Sequence, residues 1–91
     1  MNDFIIRYHK TTKDRLKNIK QYGLLKSNST LWKGMGGVIY LSKNKNDWKG
    51  DVLLTIKLDK KHFPETYDMS EWETICWHNI PPENIIRIEE A

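Results

Sequence analysis

The stretch GGVIYLSKNKNDWKGDVLLTIKLD, residues 36–59, decides the fold. It holds two segments rich in β-branched residues, 38–42 and 51–59, which predict two strands. The polar residues between them, 43–50, predict a single turn or a short helix. Tyr40 lies close to the end of the first strand, shortly after a pair of glycines. A tyrosine at that place can present its ring at the edge of a sheet, which makes it the first candidate for a functional side chain.

The chain before this stretch predicts a strand followed by a helix. DFIIRYH, residues 3–9, is β-branched and aromatic, and KTTKDRLKNIKQYGLL, residues 10–25, has helical periodicity. Thr11 or Thr12 can cap the free amides at the start of the helix, and Gly23 can end it in a left-handed turn. One stripe of the helix is apolar and is expected to face the core: Leu16, Ile19 and Tyr22.

The chain after this stretch predicts two more strands, ETICWHN at 73–79 and IIRIEE at 85–90, separated by the turn IPPEN. Residues 24–37 have no sustained period and are expected to form a loop, and residues 60–72 are expected to be irregular. The predicted order is strand, helix, then four strands. This order predicts one α+β domain, residues 1–91, whose sheet is mainly antiparallel and bent and whose helix follows the first strand.

Composition and charge narrow the class of protein. A chain of 91 residues with 38% hydrophobic residues is typical of one globular domain rather than a disordered segment. Residues 1–50 contain 11 Lys and Arg against 3 acidic residues, whereas residues 51–91 contain 4 against 9. A basic half can attract the phosphates of a nucleotide or a nucleic acid. Lysines on a solvated helix and its flanking loops explain the same count.

Cysteine usage and hydropathy point away from several other classes. The single cysteine, Cys76, cannot form an internal disulfide, and no Cys/His spacing fits a structural zinc site. No apolar run approaches the roughly 18 residues of a membrane span, and the first residues do not resemble a signal peptide. We therefore expect a cytoplasmic protein that requires neither a metal nor a membrane.

Polar and aromatic residues occupy the ends of predicted strands that are far apart in the sequence. His9 ends the first strand, and Tyr40 lies at the end of the second. Glu71 and Glu73 lie just before, or at the start of, the strand around Ile75. Such residues are expected in a site that is assembled across a sheet from several segments.

Four segments in this order resemble the ADP-ribosyltransferase fold, in particular its small bacterial and phage members and its RNA 2′-phosphotransferase-like group. The segments are RYHKTTKDRLKNIKQYGLL (7–25), GGVIYLS (36–42), DVLLTIKLD (51–59) and the closing IPPENIIRI (80–88). The resemblance extends from Ile6 to Ile88, nearly the whole chain. It implies a single domain of this fold that uses NAD as its substrate and needs no metal.

The resemblance also implies roles for individual side chains. His9 matches a first-strand histidine that hydrogen-bonds a ribose hydroxyl of NAD, and Thr11 matches a hydroxyl residue that reaches the same ribose. Tyr40 matches an aromatic residue that stacks on the nicotinamide ring. Glu73 matches an acid that holds the nicotinamide ribose and orients the nucleophile, with Glu71 as the alternative. If this holds, His9 and Tyr40 line one pocket from adjacent strands.

Three further residues are candidates for contacts with the ligand. Arg7 and Lys10 flank His9 and are the nearest basic residues in the sequence for the pyrophosphate of NAD. Trp32, in the loop before Tyr40, is the tryptophan best placed to touch a ligand.

The function that the resemblance implies is transfer of ADP-ribose from NAD to a protein or nucleic acid, with release of nicotinamide. Such a glycosyltransferase needs a carboxylate near the ribose, because the transition state is oxocarbenium-like. Two alternatives remain open. One is a non-catalytic module that binds a nucleotide or a partner protein, for example a phage-type effector or inhibitor of a host system. The other is an RNA-directed enzyme of the 2′-phosphotransferase or small-nuclease kind.

Overall fold

The computed structural model describes residues 3–28, 34, 36–45 and 51–90. Within these ranges the chain forms one α-helix and six strands, together with short 3₁₀ turns. In chain order the elements are β1 Phe4–Thr11, α1 Lys13–Tyr22, β2 Ile39–Ser42, β3 Val52–Asp59, β4 Thr66–Asp68, β5 Glu73–Cys76 and β6 Ile85–Glu90. The predicted α+β class is confirmed, and the helix follows the first strand as expected.

The six strands form one sheet in the order β4-β5-β2-β1-β3-β6. All the strand pairs in it are antiparallel, which confirms the predicted pairing mode. β1 pairs with β3 along its whole length. By contrast, β1 and β2, which lie entirely within the described residues, share one registered pair, Tyr8 with Ser42. The sheet therefore consists of two three-stranded halves that meet at a single pair of residues.

The core lies between one face of the sheet and helix α1. Alternate residues of β3 point to this face, and full burial of each leucine or isoleucine contributes about 2 kcal/mol. The buried cluster is Leu16, Ile19, Leu24, Ile39, Leu41, Val52, Leu54, Ile56, Leu58, Phe63, Cys76 and Ile80. Because a slip of one residue would turn this row of β3 side chains away from the core, burial fixes the register of the central strands.

The helix ends at Tyr22, where Gly23 adopts a positive φ of 79° and donates its N–H to the carbonyl of Ile19 at 2.8 Å. A Cβ at Gly23 would overlap the carbonyl oxygen of Ile80. Leu24 and Ile80 exchange two backbone hydrogen bonds of 2.8 Å each. Glycine is therefore required here, both for its backbone angle and because another segment passes close to it.

One residue of the predicted apolar stripe does not face the core. Leu16 and Ile19 are buried, but Tyr22 is 56% exposed, so the prediction for Tyr22 was wrong. A spacing of three residues falls short of a full helical turn, and each such step rotates the side chain by about 60° around the axis. Two steps carry Tyr22 off the buried face.

The second half of the chain holds one strand more than predicted. Residues 60–72 were expected to be irregular, but they contain the edge strand β4, Thr66–Asp68. This strand has three residues, none of them buried, so no hydrophobic alternation marks it. The strand predicted at 73–79 ends at Cys76, the last residue of β5 that pairs with β2 and β4.

Parts of two predicted loops, residues 29–33 and 46–50, lie outside the described residues, and Trp32 lies with them. The short helix or turn predicted at 43–50 is therefore described only at its start. Within the described ranges, no helix combines the length and the apolar character needed to cross a membrane.

Candidate functional site

The sheet opens where β1 and β2 part after the Tyr8–Ser42 pair. At this place the His9 ring reaches the main chain of β2: Nδ1 lies 3.0 Å from the Tyr40 carbonyl oxygen. A carbonyl oxygen only accepts, so Nδ1 carries the hydrogen and donates it. We call the opening between these parts of β1 and β2 the gap.

His9 is held in its neutral form. Burial is the largest influence and lowers its pKa below the ordinary 6.5, the hydrogen bond to the Tyr40 carbonyl raises the pKa, and the positive charge of Arg15 lowers it again. A neutral ring with hydrogen on Nδ1 has its lone pair on Nε2. His9 is therefore prepared to accept a hydrogen bond, for example from a hydroxyl group.

One cavity, the helix-side cavity, opens between the gap and helix α1. Its volume of about 770 Å³ falls within the roughly 300–1,000 Å³ range of small-molecule sites. Its lining is His9, Thr11, Arg15, Asn18, Ile19, Tyr22, Gly23, Leu24, Leu25, Asn28, Val38, Ile39 and Tyr40. Among these described residues there is no carboxylate, and Arg15 brings a full positive charge. The cavity therefore suits a ligand that combines an anionic group with hydroxyls and an apolar part.

A second cavity, the Glu73-side cavity, has a volume of about 340 Å³. It is lined by Tyr8, His9, Lys10, Tyr40, Leu41, Ser42, Trp72 and Glu73. Glu73 opens strand β5 directly opposite Ser42 of β2, and its backbone N–H donates to the Ser70 hydroxyl at 3.1 Å. Three aromatic rings, one carboxylate and one amine thus border a small opening next to the gap.

The two cavities lie on opposite faces of the sheet. Side chains alternate along a strand, and antiparallel partners point to the same face. The register therefore places the side chains of Tyr40, Ser42 and Glu73 on one face. The His9 side chain lies on the other face with its partner Leu54, the face that packs against helix α1. His9 and Tyr40 line both cavities because both border the gap.

Five of the residues proposed from the sequence line one or both of the cavities. The sequence predicts that the side chains of His9 and Tyr40 line one pocket from adjacent strands. Both residues line both cavities, but their side chains leave the sheet on opposite faces, so this prediction is not confirmed. Thr11 lines the helix-side cavity. Lys10 and Glu73 line the Glu73-side cavity. The roles that the resemblance implies for these five residues stay predictions.

The other three residues are not brought to the gap. Arg7 lines neither cavity, because its guanidinium donates to Thr74, Asp68 and the backbone of β1. Glu71 also lines neither cavity and lies exposed before β5. Trp32 lies outside the described residues.

Some lining residues have no counterpart in the sequence prediction. Arg15, Asn18 and Tyr22 follow one another at spacings of three and four, so they form a stripe on the helix beside the buried one. That spacing is visible in the sequence, but it does not mark these residues as part of a site, because exposed polar residues on a helix usually face only solvent. Trp72 also lines the Glu73-side cavity and is 59% exposed.

Neither a metal cluster among the described residues nor a match to a family model or a curated protein assigns a function to this arrangement. Among the residues that the structure describes, no three His, Cys, Asp or Glu side chains are grouped so that they could hold a metal ion. No protein-family model matches the chain, and no curated protein sequence matches it. The geometry of the gap is therefore the basis on which a function can be assigned.

Proposed function

We propose that the protein is a nucleotide-binding protein whose ligand lies across the gap. More specifically, we propose that the ligand is NAD and that the protein transfers ADP-ribose to a macromolecule, as the family that its sequence resembles does. The observation that carries this proposal is that His9, Tyr40 and Glu73, from three distant segments, border one cavity. These are the three positions at which the resemblance implies a histidine, an aromatic residue and an acid.

In this proposal the helix-side cavity holds the ADP-ribose part of NAD. Its volume of about 770 Å³ and its lack of carboxylates among the lining residues favour a ligand that carries phosphates. The guanidinium of Arg15 offers several N–H donors to the pyrophosphate. His9 accepts a hydrogen bond from a ribose hydroxyl at Nε2, and Thr11 offers a second polar contact to the same sugar.

The Glu73-side cavity then receives the nicotinamide end. The ring of Tyr40 supplies a stacking surface, and Trp72 supplies a second one. The bond between the ribosyl carbon and the pyridinium nitrogen breaks, and its electron pair leaves with nicotinamide, which becomes neutral. The carboxylate of Glu73 stabilises the positive charge that develops on the ribose. As a nucleophile of the target bonds to the ribosyl carbon, Glu73 accepts its proton.

A second candidate function is nucleotide binding without transfer. The helix-side cavity is the larger of the two, and it contains neither Glu73 nor Glu71. The His9 side chain lies on the same face as this cavity and on the opposite face from Glu73. A nucleotide that stayed entirely in the helix-side cavity would touch no carboxylate among the described lining residues.

The experiment that separates the two functions measures NAD affinity and nicotinamide release in the same preparations. NAD affinity is measured by calorimetry, and release is measured with and without a cell lysate as the source of targets. Glu73→Gln keeps the shape of the side chain and deletes its charge. It should slow nicotinamide release by about 10²-fold or more while leaving the Kd for NAD within about twofold. Glu71→Gln is the matched control, because Glu71 is exposed and lines neither cavity.

The possible outcomes point to different conclusions. If the Glu73 variant loses turnover and the Glu71 variant does not, the transferase proposal is supported. If the Glu71 variant alone loses turnover, Glu73 is not the catalytic acid. NAD binding without turnover in any lysate would support the binding function instead. If calorimetry detects no binding of NAD at millimolar concentration, NAD is not the ligand, the transferase proposal is wrong, and only binding of another ligand remains.

A further inference from the structure

A cluster of charged and polar side chains joins the two halves of the sheet beside the gap. Asp68 accepts hydrogen bonds from Thr74 Oγ1 at 2.8 Å and from Arg7 Nη2 at 3.2 Å through the same oxygen. Its other oxygen lies 3.1 Å from Lys43 Nζ. Arg7 Nε donates to Thr74 Oγ1 at 2.7 Å. We call these four residues the Asp68 cluster.

The cluster lies next to the registered pair between β1 and β2. Arg7 and Lys43 are the chain neighbours of Tyr8 and Ser42, which form that pair. Arg7 belongs to the half made of β1, β3 and β6, whereas Asp68 and Thr74 belong to β4 and β5 in the other half. β2 lies between β1 and β5 but ends at Ser42, so the Arg7 side chain reaches past its end to β5 and β4.

The cluster strongly favours the ionised form of Asp68. Burial opposes ionisation of Asp68, but the hydrogen bonds from Thr74, Lys43 and Arg7 outweigh it and lower its pKa to about 2. The Arg7 side chain is only 16% exposed, so little water competes for its guanidinium. A hydrogen bond to an ionised group is about twice as strong as one between neutral groups.

We propose that the Asp68 cluster is a clamp that fixes the separation of the two halves of the sheet and thereby positions Glu73 at the gap. Glu73 precedes Thr74 on β5, so a hydrogen bond that holds Thr74 also fixes the start of that strand. Arg7 acts through Thr74 and Asp68 and is a positioning residue rather than one that touches the ligand. The role assigned to Glu73 rests on the proposed function, but the clamp itself can be measured without NAD.

Hydrogen exchange of backbone amides, followed by NMR on the full chain, tests the clamp. Asp68→Asn removes the charge that both basic residues contact. It should raise exchange by about tenfold or more at amides within one residue of Tyr8 and Ser42. Amides in the ladder between β1 and β3 that lie more than one residue from Tyr8 should stay within about twofold. Asp59→Asn is the matched control, because Asp59 also pairs with a basic side chain, His62 at 2.7 Å, but lies at the far end of β3.

Three exchange results overturn the proposal. One is an equal rise throughout the sheet, since this would show that the cluster contributes only general stability. Another is unchanged exchange near Tyr8 and Ser42. The third is the same local rise in the Asp59→Asn control. Thr74→Val is a second variant in case Asp68→Asn does not fold. It removes the hydrogen bonds of Thr74 to Arg7 and to Asp68 but keeps the contacts of Asp68 with Arg7 and Lys43, so it should give the same local pattern, smaller in size.

The link to catalysis has its own measurement. If the unaltered protein releases nicotinamide from NAD, Asp68→Asn should lower kcat at least fivefold while KM changes by about twofold or less, because displacement of Glu73 affects mainly the transition state. A rise in KM at constant kcat would contradict a positioning role. If the unaltered protein shows no turnover, the proposed function fails, and the exchange data alone decide whether the clamp exists.

Discussion

Gly37 offers the sharpest test of how the chain enters strand β2. It has a positive φ of 82° and lies two residues before Ile39, the first residue of the strand. A Cβ at this position would overlap the carbonyl oxygen of Lys26 and lie 3.0 Å from its carbonyl carbon. The Lys26 backbone cannot easily retreat, because its N–H donates to Asn79 Oδ1 at 2.8 Å.

The cost of Gly37→Ala has two parts. Holding a residue with a Cβ in the left-handed region costs about 1–2 kcal/mol. Overlap with a fixed backbone group adds about 1–3 kcal/mol, the usual cost of overpacking. We therefore expect Gly37→Ala to lower the free energy of unfolding by about 3 kcal/mol, which is a large share of the stability of a small domain.

Gly36→Ala is the matched control. Its φ is also positive, at 90°, but the nearest atom to an added Cβ is Lys26 Nζ at 3.9 Å, the end of a flexible side chain. This substitution should cost only the conformational part, about 1–2 kcal/mol. Urea denaturation of both variants measures the difference, which should be about 2 kcal/mol. A difference below about 0.5 kcal/mol would refute the expected overlap, because the Lys26 carbonyl would then yield without the cost of overpacking.

Three further predictions concern ionisation and stacking. Burial is the main reason that the pKa of His9 lies below 6.5, so the free energy of unfolding should fall as the pH drops from 6.5 towards the pKa of His9 in the folded state. Urea titrations at about pH 7.5 and 5.5 measure this fall, and it should be smaller in His9→Gln. An equal fall in the variant would contradict the lowered pKa of His9. Ionised Asp68 stabilises the fold above its ordinary pKa of 3.8, and this contribution disappears as the pH falls from 3.8 to about 2. We expect a contribution of about 1 kcal/mol to the free energy of unfolding, after allowing for the half-exposed side chain. In Asp68→Asn the free energy of unfolding should therefore fall less between these two pH values. Tyr40→Ala should remove about 1 kcal/mol of stacking energy and therefore weaken the binding of NAD several-fold, as measured by calorimetry. An unchanged Kd for NAD would show that Tyr40 is not part of the site.

The class and order of the fold could be predicted because local patterns agree with the final structure. The alternating apolar residues of β3 and the helix stop at Gly23 both act over a few residues, so they are visible in the sequence. Strand β4 was missed because it is a short, polar edge strand that exists only by pairing with β5. Its position depends on a partner, which no local pattern specifies.

The site was predicted less completely for a similar reason. His9 and Tyr40 could be identified as candidates, although β1 does not end at His9 as predicted but continues to Thr11. The faces to which the two side chains point depend on the register between β1 and β2. The contacts of Arg7 with Asp68 join residues 61 positions apart in the chain. An arginine at position 7 and an aspartate at position 68 do not by themselves predict such a contact. Arg7 was predicted to contact a ligand because it lies two residues before His9. Only the three-dimensional structure shows that it belongs to the Asp68 cluster.

The central position of β1 has a consequence for the folding rate. β1 comes first among the described strands, yet both of its neighbours in the sheet, β2 and β3, come much later: Tyr8 pairs with Ser42 and with Thr55. β4 and β5, by contrast, form a local pair in which Asp68 meets Thr74. Long loops must therefore close before the middle of the sheet exists, and contacts of this kind slow folding. During synthesis, β1 leaves the ribosome before β2 and β3, so it stays unpaired until those strands have been made.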